Sequence, residues 1–202
     1  MSSEGNRFFI LILICFPLVS NASIIYVSDQ GFTREDGASG LTEVIQFGDG
    51  EGVIYRDFRS SGAWMIDHRG MWTYEAAVSE DGGVAKNLME DSEIGDGIDW
   101  FDLSSTRLGL SILNYREGTG EFFDAYGFLG VRFFSPENAQ PFYGWMRLEH
   151  NAQAETFTVH DWAWNSEPGV PIAAGEIPET KVYALLLAVG TLLWAMVRRR
   201  ST

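Results

Sequence analysis

Residues 142–163 read FYGWMRLEHNAQAETFTVHDWA, two runs of alternating polar and apolar residues around a short polar segment. Apolar side chains occupy every second position: Met146 and Leu148 between Arg147 and Glu149, then Phe157 and Val159 among Thr156, Thr158 and His160. Successive side chains of a β-strand point to opposite faces, so this period of two predicts two half-buried strands. The segment 151–155 is then the turn of an antiparallel hairpin that pairs 142–149 with 156–163.

The rest of the central region has the same character. In the run 128–134, Leu129, Val131 and Phe133 share one face and Arg132 points the other way. Asp-Gly turn signals separate further short β-branched and aromatic runs. The other candidate strands are Ile24–Val27, Glu43–Phe47, Val53–Phe58, Ala63–Ile66, Trp72–Val78 and Arg107–Leu113. No segment of this region has a long apolar period of 3.6 residues. We therefore predict an all-β fold, an antiparallel β-sandwich of jelly-roll or lectin-like type.

The charge of the chain is strongly acidic, and its distribution limits the choice of partners. The whole sequence has a net charge of −14, with 14 basic residues against 28 acidic ones. Residues 23–175 alone contain 9 basic and 25 acidic residues, a net charge of −16. A nucleic-acid-binding domain needs a basic face to neutralise phosphates. We therefore expect no nucleic-acid partner, and neutral or cationic polymers or divalent cations are better candidates.

The N-terminus has the order of regions found in a secretory signal peptide. Arg7 precedes the apolar run 8–19, which is too short to span a bilayer comfortably. Ser20 and Ala22 follow, with small side chains where a cut after Ala22 requires them. We therefore predict a signal peptide over residues 1–22 and export of the mature chain. The single cysteine, Cys15, lies in this segment, so the mature domain has no disulfide.

The C-terminus predicts one short transmembrane helix. Residues 182–197 are uncharged and lie between Lys181 and the cluster Arg198-Arg199-Arg200. A helix of this length spans about 24 Å, a little less than the bilayer's hydrocarbon core of about 30 Å. The arginine cluster fixes the orientation, because basic residues stay on the cytoplasmic side. The acidic domain then lies outside, in agreement with the signal peptide.

Pro178-Glu179-Thr180, the helix and the terminal arginines together resemble the PEP-CTERM sorting signal of Gram-negative bacteria, whose third motif residue is usually proline. The resemblance covers about residues 176–200. It implies recognition by a membrane-embedded exosortase, cleavage near the motif and, often, a link to exopolysaccharide production. We expect the chain to pass through the secretion machinery and the inner membrane and then to reach the cell surface or the extracellular matrix. A plain C-terminal anchor that stays in the membrane is the alternative.

These features divide the chain into four parts. The signal peptide, 1–22, is followed by the outer domain, 23–164, and then by 165–177, where two prolines and two glycines between 165 and 175 predict a linker. The sorting tail is 178–200. A structural or interaction protein without catalytic residues is the function that we expect from this arrangement.

An acidic run is the one candidate for cation binding. Residues 90–102 hold several carboxylates among glycines, and Ca²⁺ takes six to eight oxygen ligands. Asp96, Asp99 and Asp102 are the candidate ligands. Their spacing differs from that of an EF-hand loop, so a solvated acidic loop without a cofactor is the favoured interpretation. No pair of histidines has metal-ligand spacing.

Tryptophans supply the candidates for carbohydrate binding. Trp162 and Trp164 fall on one face of the predicted strand, and Trp145 lies on its neighbour. Exposed aromatic rings stack on sugars, although core packing is the more frequent role of tryptophan. A carbohydrate-binding module, with or without Ca²⁺, is therefore an alternative function. A surface glycosidase is a further alternative, and it would need two carboxylates facing each other across a groove.

Overall fold

The structure is a computed structural model that describes residues 23–35, 42–48, 53–58, 63–68, 72–79, 84–103, 110–114, 117–178 and 190–191. The described part is mostly β-strand, and all of its strand pairings are antiparallel, which confirms the predicted all-β class. The described strands are, in chain order, β1 (Ile24–Val27), β2 (Phe32–Glu35), β3 (Thr42–Ile45), β4 (Val53–Phe58), β5 (Ala63–His68), β6 (Thr73–Ala77), β7 (Glu93–Ile94), β8 (Trp100–Asp102), β9 (Leu110–Asn114), β10 (Tyr126–Phe134), β11 (Phe142–Asn151), β12 (Thr156–Asn165) and β13 (Ile172–Ala173).

These strands form three sheets. The large sheet has the order β1-β12-β11-β10-β6-β8, and β2 pairs with β12 beside β1. A second sheet has the order β3-β4-β5-β9, and β7 pairs with β13 in a short third sheet. The predicted hairpin is confirmed, since β11 and β12 pair antiparallel along most of their length.

One face of the large sheet, called the inner face here, contributes to the first hydrophobic core. Leu129, Val131 and Phe133 of β10 are buried in it, as the alternation predicted. Ile45 of β3 and Ile112 of β9 belong to the same core. Side chains from the large and the four-stranded sheets therefore bury one another, which is how antiparallel sheets with one apolar face exclude water.

A β-bulge in β12 reverses the alternation that the sequence suggests. Asp161 and Val159 lie opposite consecutive residues of β11, so His160 is the extra residue of the strand. A strict period of two from Val159 would direct Asp161 into the first core and Trp162 away from it. The bulge instead directs Trp162 and Trp164 into that core and leaves Asp161 on the other face.

The opposite face of the large sheet, called the outer face, is partly covered by two segments that lie outside it. The segments 87–98 and 171–176 pack on this face and complete a second hydrophobic core. Its buried members are Ala77, Leu88, Ile94, Phe128, Tyr143, Trp145, Ala163, Ile172 and Ala174. The large sheet is thus buried on both faces in this part, and only its remaining outer surface is open to ligands.

The segment 165–177 is not the free linker that its prolines and glycines predicted. Ile172 is 2% exposed, Ala174 is fully buried, and β13 pairs with β7. Apolar side chains at alternate positions make this segment a short strand that covers the second core. The folded domain therefore continues to Glu176, and Ile177, with 49% exposure, is the first large apolar residue beyond it.

The two predicted terminal signals lie largely outside the described residues. This applies to the signal peptide with Ala22, to Glu179 and Thr180, to the arginine cluster and to nearly all of helix 182–197. Among the described residues, no helix is long and apolar enough to cross a membrane.

Candidate functional site

A row of four residues crosses the open part of the outer face. Tyr126 of β10, Glu149 of β11, Thr158 of β12 and Thr33 of β2 are successive Cα partners. Directly opposed residues of neighbouring antiparallel strands point to the same face of a sheet. The hydroxyl oxygens of Thr33 and Thr158 are accordingly 2.9 Å apart. These four residues form a continuous strip of hydrogen-bonding groups with an aromatic ring at one end, called the polar row here.

The bulge places His160 beside the polar row. Its Nε2 lies 2.8 Å from Oε2 of Glu149, and its ring centroid lies 5.9 Å from that of Tyr126. The side chains of His160 and Glu149 are 32% and 41% exposed. This pair is therefore held in place by the hydrogen bond and is still accessible to a ligand.

An ion pair between Arg147 and the buried Asp161 lies beside the row on the same outer face. Asp161 is 2% exposed, and its Oδ2 accepts hydrogen bonds from Arg147 Nη2 and, at 2.7 Å, from the hydroxyl of Tyr26. The hydrogen bond to Asp161, together with burial, raises the pKa of Tyr26. Burial lowers the pKa of Arg147, but the charge of Asp161 and a hydrogen bond with Tyr126 outweigh burial and leave that pKa raised. Tyr26 therefore stays a donor and Arg147 a cation.

The ring of Tyr126 is exposed but well supported. Tyr126 is the first residue of β10, and it is 53% exposed although it is a large aromatic residue. The Arg147 guanidinium lies 6.0 Å from its centroid, and the Phe128 ring packs edge-on at 6.1 Å. With His160 on the third side, the ring is fixed in orientation while part of its surface remains open.

Two shallow depressions border the polar row at its two ends. One, of about 320 Å³, lies between Tyr126 and the segment 87–90. The other, of about 300 Å³, is lined by Thr33, Thr158 and His160 among others. These volumes are at the lower limit for small-molecule sites. The arrangement suits an extended ligand that lies across the strands better than a compact ligand in a deep cavity.

The tryptophans predicted as sugar-stacking residues are buried, so that prediction is wrong in this structure. Trp145, Trp162 and Trp164 are 1%, 2% and 8% exposed. The indole Nε1–H of Trp162 donates to the Gln46 carbonyl at 3.0 Å, and that of Trp145 donates to the Glu176 carbonyl at 3.2 Å. The bulge at His160 is the physical reason for Trp162 and Trp164, because it directs both into the first core.

The three candidate ligands of the acidic run 90–102 make different contacts along the sheet. Asp96 Oδ1 accepts a hydrogen bond of 2.5 Å from Tyr143, and it lies 4.0 Å from Arg132 Nη1. Asp102 belongs to β8, and the carbonyl of Asp99 accepts the Val78 N–H. In the part of the chain that the structure describes, no three His, Cys, Asp or Glu side chains are grouped to hold a metal ion.

Burial and the hydrogen bond to Asp96 raise the pKa of Tyr143 to about 12. This hydroxyl therefore stays protonated over the ordinary pH range. Asp96 acts as the acceptor of this hydroxyl.

The sequence predicted β11, β12 and most of β10, but it predicted neither β2, which carries Thr33, nor the row itself. Arg147 and Glu149 were predicted to alternate with apolar residues, and they do. Which residue of β10 or β2 lies opposite Glu149 or Thr158 depends on strand register, which no local pattern specifies. Tyr126 and Thr33 could therefore not be selected from the sequence.

Comparison with known proteins gives no match at any level: no family model, no curated protein and no solved structure is significantly similar to the chain.

Proposed function

We propose that this chain is an exported protein of the cell surface or extracellular matrix, without catalytic activity of its own. The signal peptide is removed after Ala22, and an exosortase processes the tail at Pro178-Glu179-Thr180 after an inner-membrane intermediate. The secretion machinery and exopolysaccharide are the expected partners. We further propose that the large and four-stranded sheets form a sandwich of jelly-roll or lectin-like type, which their shared core supports.

The pairing of two terminal signals carries this proposal. An apolar run preceded by Arg7 at one end, and a motif, apolar run and arginine cluster at the other, imply the same topology independently. The strongly acidic domain between them is then on the outer side of the membrane. The tail resemblance adds release or transfer to the surface to this topology.

Mass spectrometry of the mature C-terminus tests the proposal. In a host that has an exosortase, the surface fraction should lack Arg198-Arg199-Arg200. Replacing Pro178 and Glu179 together by alanine should leave the full tail in the membrane fraction, and Ile177→Ala is the matched control next to the motif. A wild-type surface protein that keeps its arginines would refute processing and favour a permanent anchor.

Carbohydrate binding is a second candidate function, favoured by the polar row with its exposed aromatic end. Fixed hydrogen-bonding groups beside an accessible ring are what a polyhydroxylated ligand requires, since its hydroxyls need partners and its C–H faces need an apolar surface. A glycan array with and without a chelator of divalent cations tests this function. An array without binding in either condition would remove it.

A further inference from the structure

We propose that the polar row, Tyr126–Glu149–Thr158–Thr33, is a binding groove for a neutral glycan chain that lies across the strands. This inference deepens the carbohydrate-binding function proposed above and rests on it. It assigns the ligand class, the direction of the ligand and the residues that contact it.

The dimensions of the row fit a short oligosaccharide rather than a single sugar. Neighbouring strands lie about 4.8 Å apart, so four residues in register span about 14 Å. One depression borders the row at Tyr126, and the other borders it at Thr33 and Thr158. A chain of several pyranose rings therefore has a continuous, nearly straight path across the outer face.

The chemical groups along this path change from one end to the other. The Tyr126 ring, 53% exposed, offers its surface to the C–H face of one sugar ring. Glu149 and His160 follow as a hydrogen-bonded pair that is open to hydroxyl groups. The paired hydroxyls of Thr158 and Thr33 continue the line, and each oxygen can donate and accept. The row thus offers a stacking surface at one end and hydrogen-bonding groups along the rest, and sugars can use both.

The local charge favours a neutral ligand. The charge of Arg147 is cancelled by Asp161, with which it forms an ion pair. Glu149 then leaves the row with a negative charge, on a domain that is strongly acidic overall. A polyuronate, a sulfated glycan or a nucleic acid would meet electrostatic repulsion from this acidic surface. An uncharged polysaccharide has no such cost.

The row is also preorganised, which lowers the entropic cost of binding. His160 holds Glu149, and Asp161 holds Arg147, which in turn contacts the Tyr126 ring. Side chains that are fixed before the ligand arrives lose little rotamer freedom on binding. Tyr126 and Thr33 are exposed, so substitutions at these contacts should leave the fold intact.

Binding of soluble neutral oligosaccharides to the purified full chain in mild detergent tests the inference. The probes are gluco-, manno- and galacto-oligosaccharides of increasing length, with polygalacturonate and heparin as charged comparisons. Wild type should bind at least one neutral series, with affinity that rises until the row is filled. Tyr126→Ala should weaken binding about tenfold or more, whereas Tyr126→Phe, which keeps the ring, should retain most of it.

A second pair of variants tests the far end of the row. Replacing Thr33 and Thr158 together by valine keeps side-chain volume and removes both hydroxyls. This variant should lose affinity for the longer oligosaccharides and keep that for the shortest. Val44→Ala, an exposed position on β3 outside the row, is the matched control and should bind as wild type does.

The possible results distinguish a wrong binding site from a wrong function. Absence of any glycan binding by wild type would remove the carbohydrate-binding function and this inference with it. Binding that survives both Tyr126→Ala and the threonine double variant would overturn the site while the function stands. Binding confined to polygalacturonate or heparin would overturn the neutral ligand class.

Discussion

His160 and Asp161 are consecutive in β12, yet both point to the outer face of the large sheet, where His160 contacts Glu149 and Asp161 contacts Arg147. Consecutive residues of a regular strand point to opposite faces. The bulge that allows this exception places His160 beside the polar row and directs Trp162 and Trp164 into the first core. A single extra residue therefore decides which side chains of β12 can meet a ligand.

Removing one partner of the Asp161–Arg147 pair should destabilise the domain more than removing both partners. Asp161→Ala leaves Arg147 and the Tyr26 hydroxyl without their acceptor, so we expect a loss of about 2–4 kcal/mol in the free energy of unfolding. Replacing both partners, with Arg147→Met added, should recover part of this loss, because no unpaired charge remains. Urea unfolding of the wild type, the two single variants and the double variant measures the coupling.

Two buried polar atoms of this pair explain why the double variant should recover part of the lost unfolding free energy. Among the described residues, no group hydrogen-bonds with the buried Oδ1 of Asp161 or the buried Nε of Arg147. The pair thus carries a desolvation cost that is only partly offset. A double variant that is no more stable than Asp161→Ala would contradict this account.

The register-dependent parts of the fold mark the limit of prediction from sequence. The strands around Phe128–Phe134 and the β11–β12 hairpin follow from local alternation, and both are confirmed. The bulge at His160 is one residue long and breaks the same alternation without a local signal. The short strands β2, β7 and β13 owe their existence to pairing with distant segments, which composition does not show.

The segment that covers the second core should be as important to stability as a regular strand. Ile172→Ala removes a buried side chain that is 2% exposed, so we expect a loss of about 2–5 kcal/mol. Ile177→Ala is the matched control at a position that is 49% exposed, and its effect should stay within about 0.5 kcal/mol. Thermal and urea unfolding compare the two. If Ile172→Ala cost no more unfolding free energy than Ile177→Ala, the segment would be a free linker.

Gly144 should be intolerant of any side chain. A Cβ at this position would lie 2.6 Å from the carbonyl oxygen of Ala163 in the neighbouring strand, and backbone in a paired sheet cannot move aside easily. Gly144→Ala should therefore cost about 1–3 kcal/mol. At Gly97 a Cβ meets nothing within 4 Å, so Gly97→Ala should be neutral within about 1 kcal/mol. Urea midpoints of the two variants check this, and a stable Gly144→Ala protein would contradict the close strand contact.

Tyr143 should make the domain less stable in alkali. Its pKa is raised to about 12 from an ordinary value of 10.0, so between these two pH values the folded state binds more protons than the unfolded state. Stability linked to this group is complete below pH 10.0 and is lost as the pH rises towards about 12. Unfolding free energies measured across this window should fall less steeply in Tyr143→Phe than in wild type.

Asp96→Asn separates the two causes of this raised pKa. The variant removes the charge that the Tyr143 hydroxyl faces and keeps the burial, which is the larger cause. The alkaline fall in stability should therefore become smaller without disappearing, and ultraviolet absorbance of tyrosinate follows the titration directly. An identical pH dependence in wild type and Tyr143→Phe would exclude this tyrosine as the source.

The docked segment before the proposed sorting motif would limit where an exosortase can cut the tail. Ala174 exchanges backbone hydrogen bonds with Asp91 and Ser92, both of 2.9 Å, and the Glu176 carbonyl accepts the Trp145 indole N–H. A protease needs a detached, extended chain, and paired backbone resists detachment. We therefore predict that the mature C-terminus lies at Glu176 or beyond it, as read by mass spectrometry of the surface form. Ile172→Ala, which loosens the segment, should shift part of the cleavage upstream, whereas Ile177→Ala should leave this limit unchanged. A wild-type end before Ile172 on a cooperatively folded domain would show that the segment is dispensable.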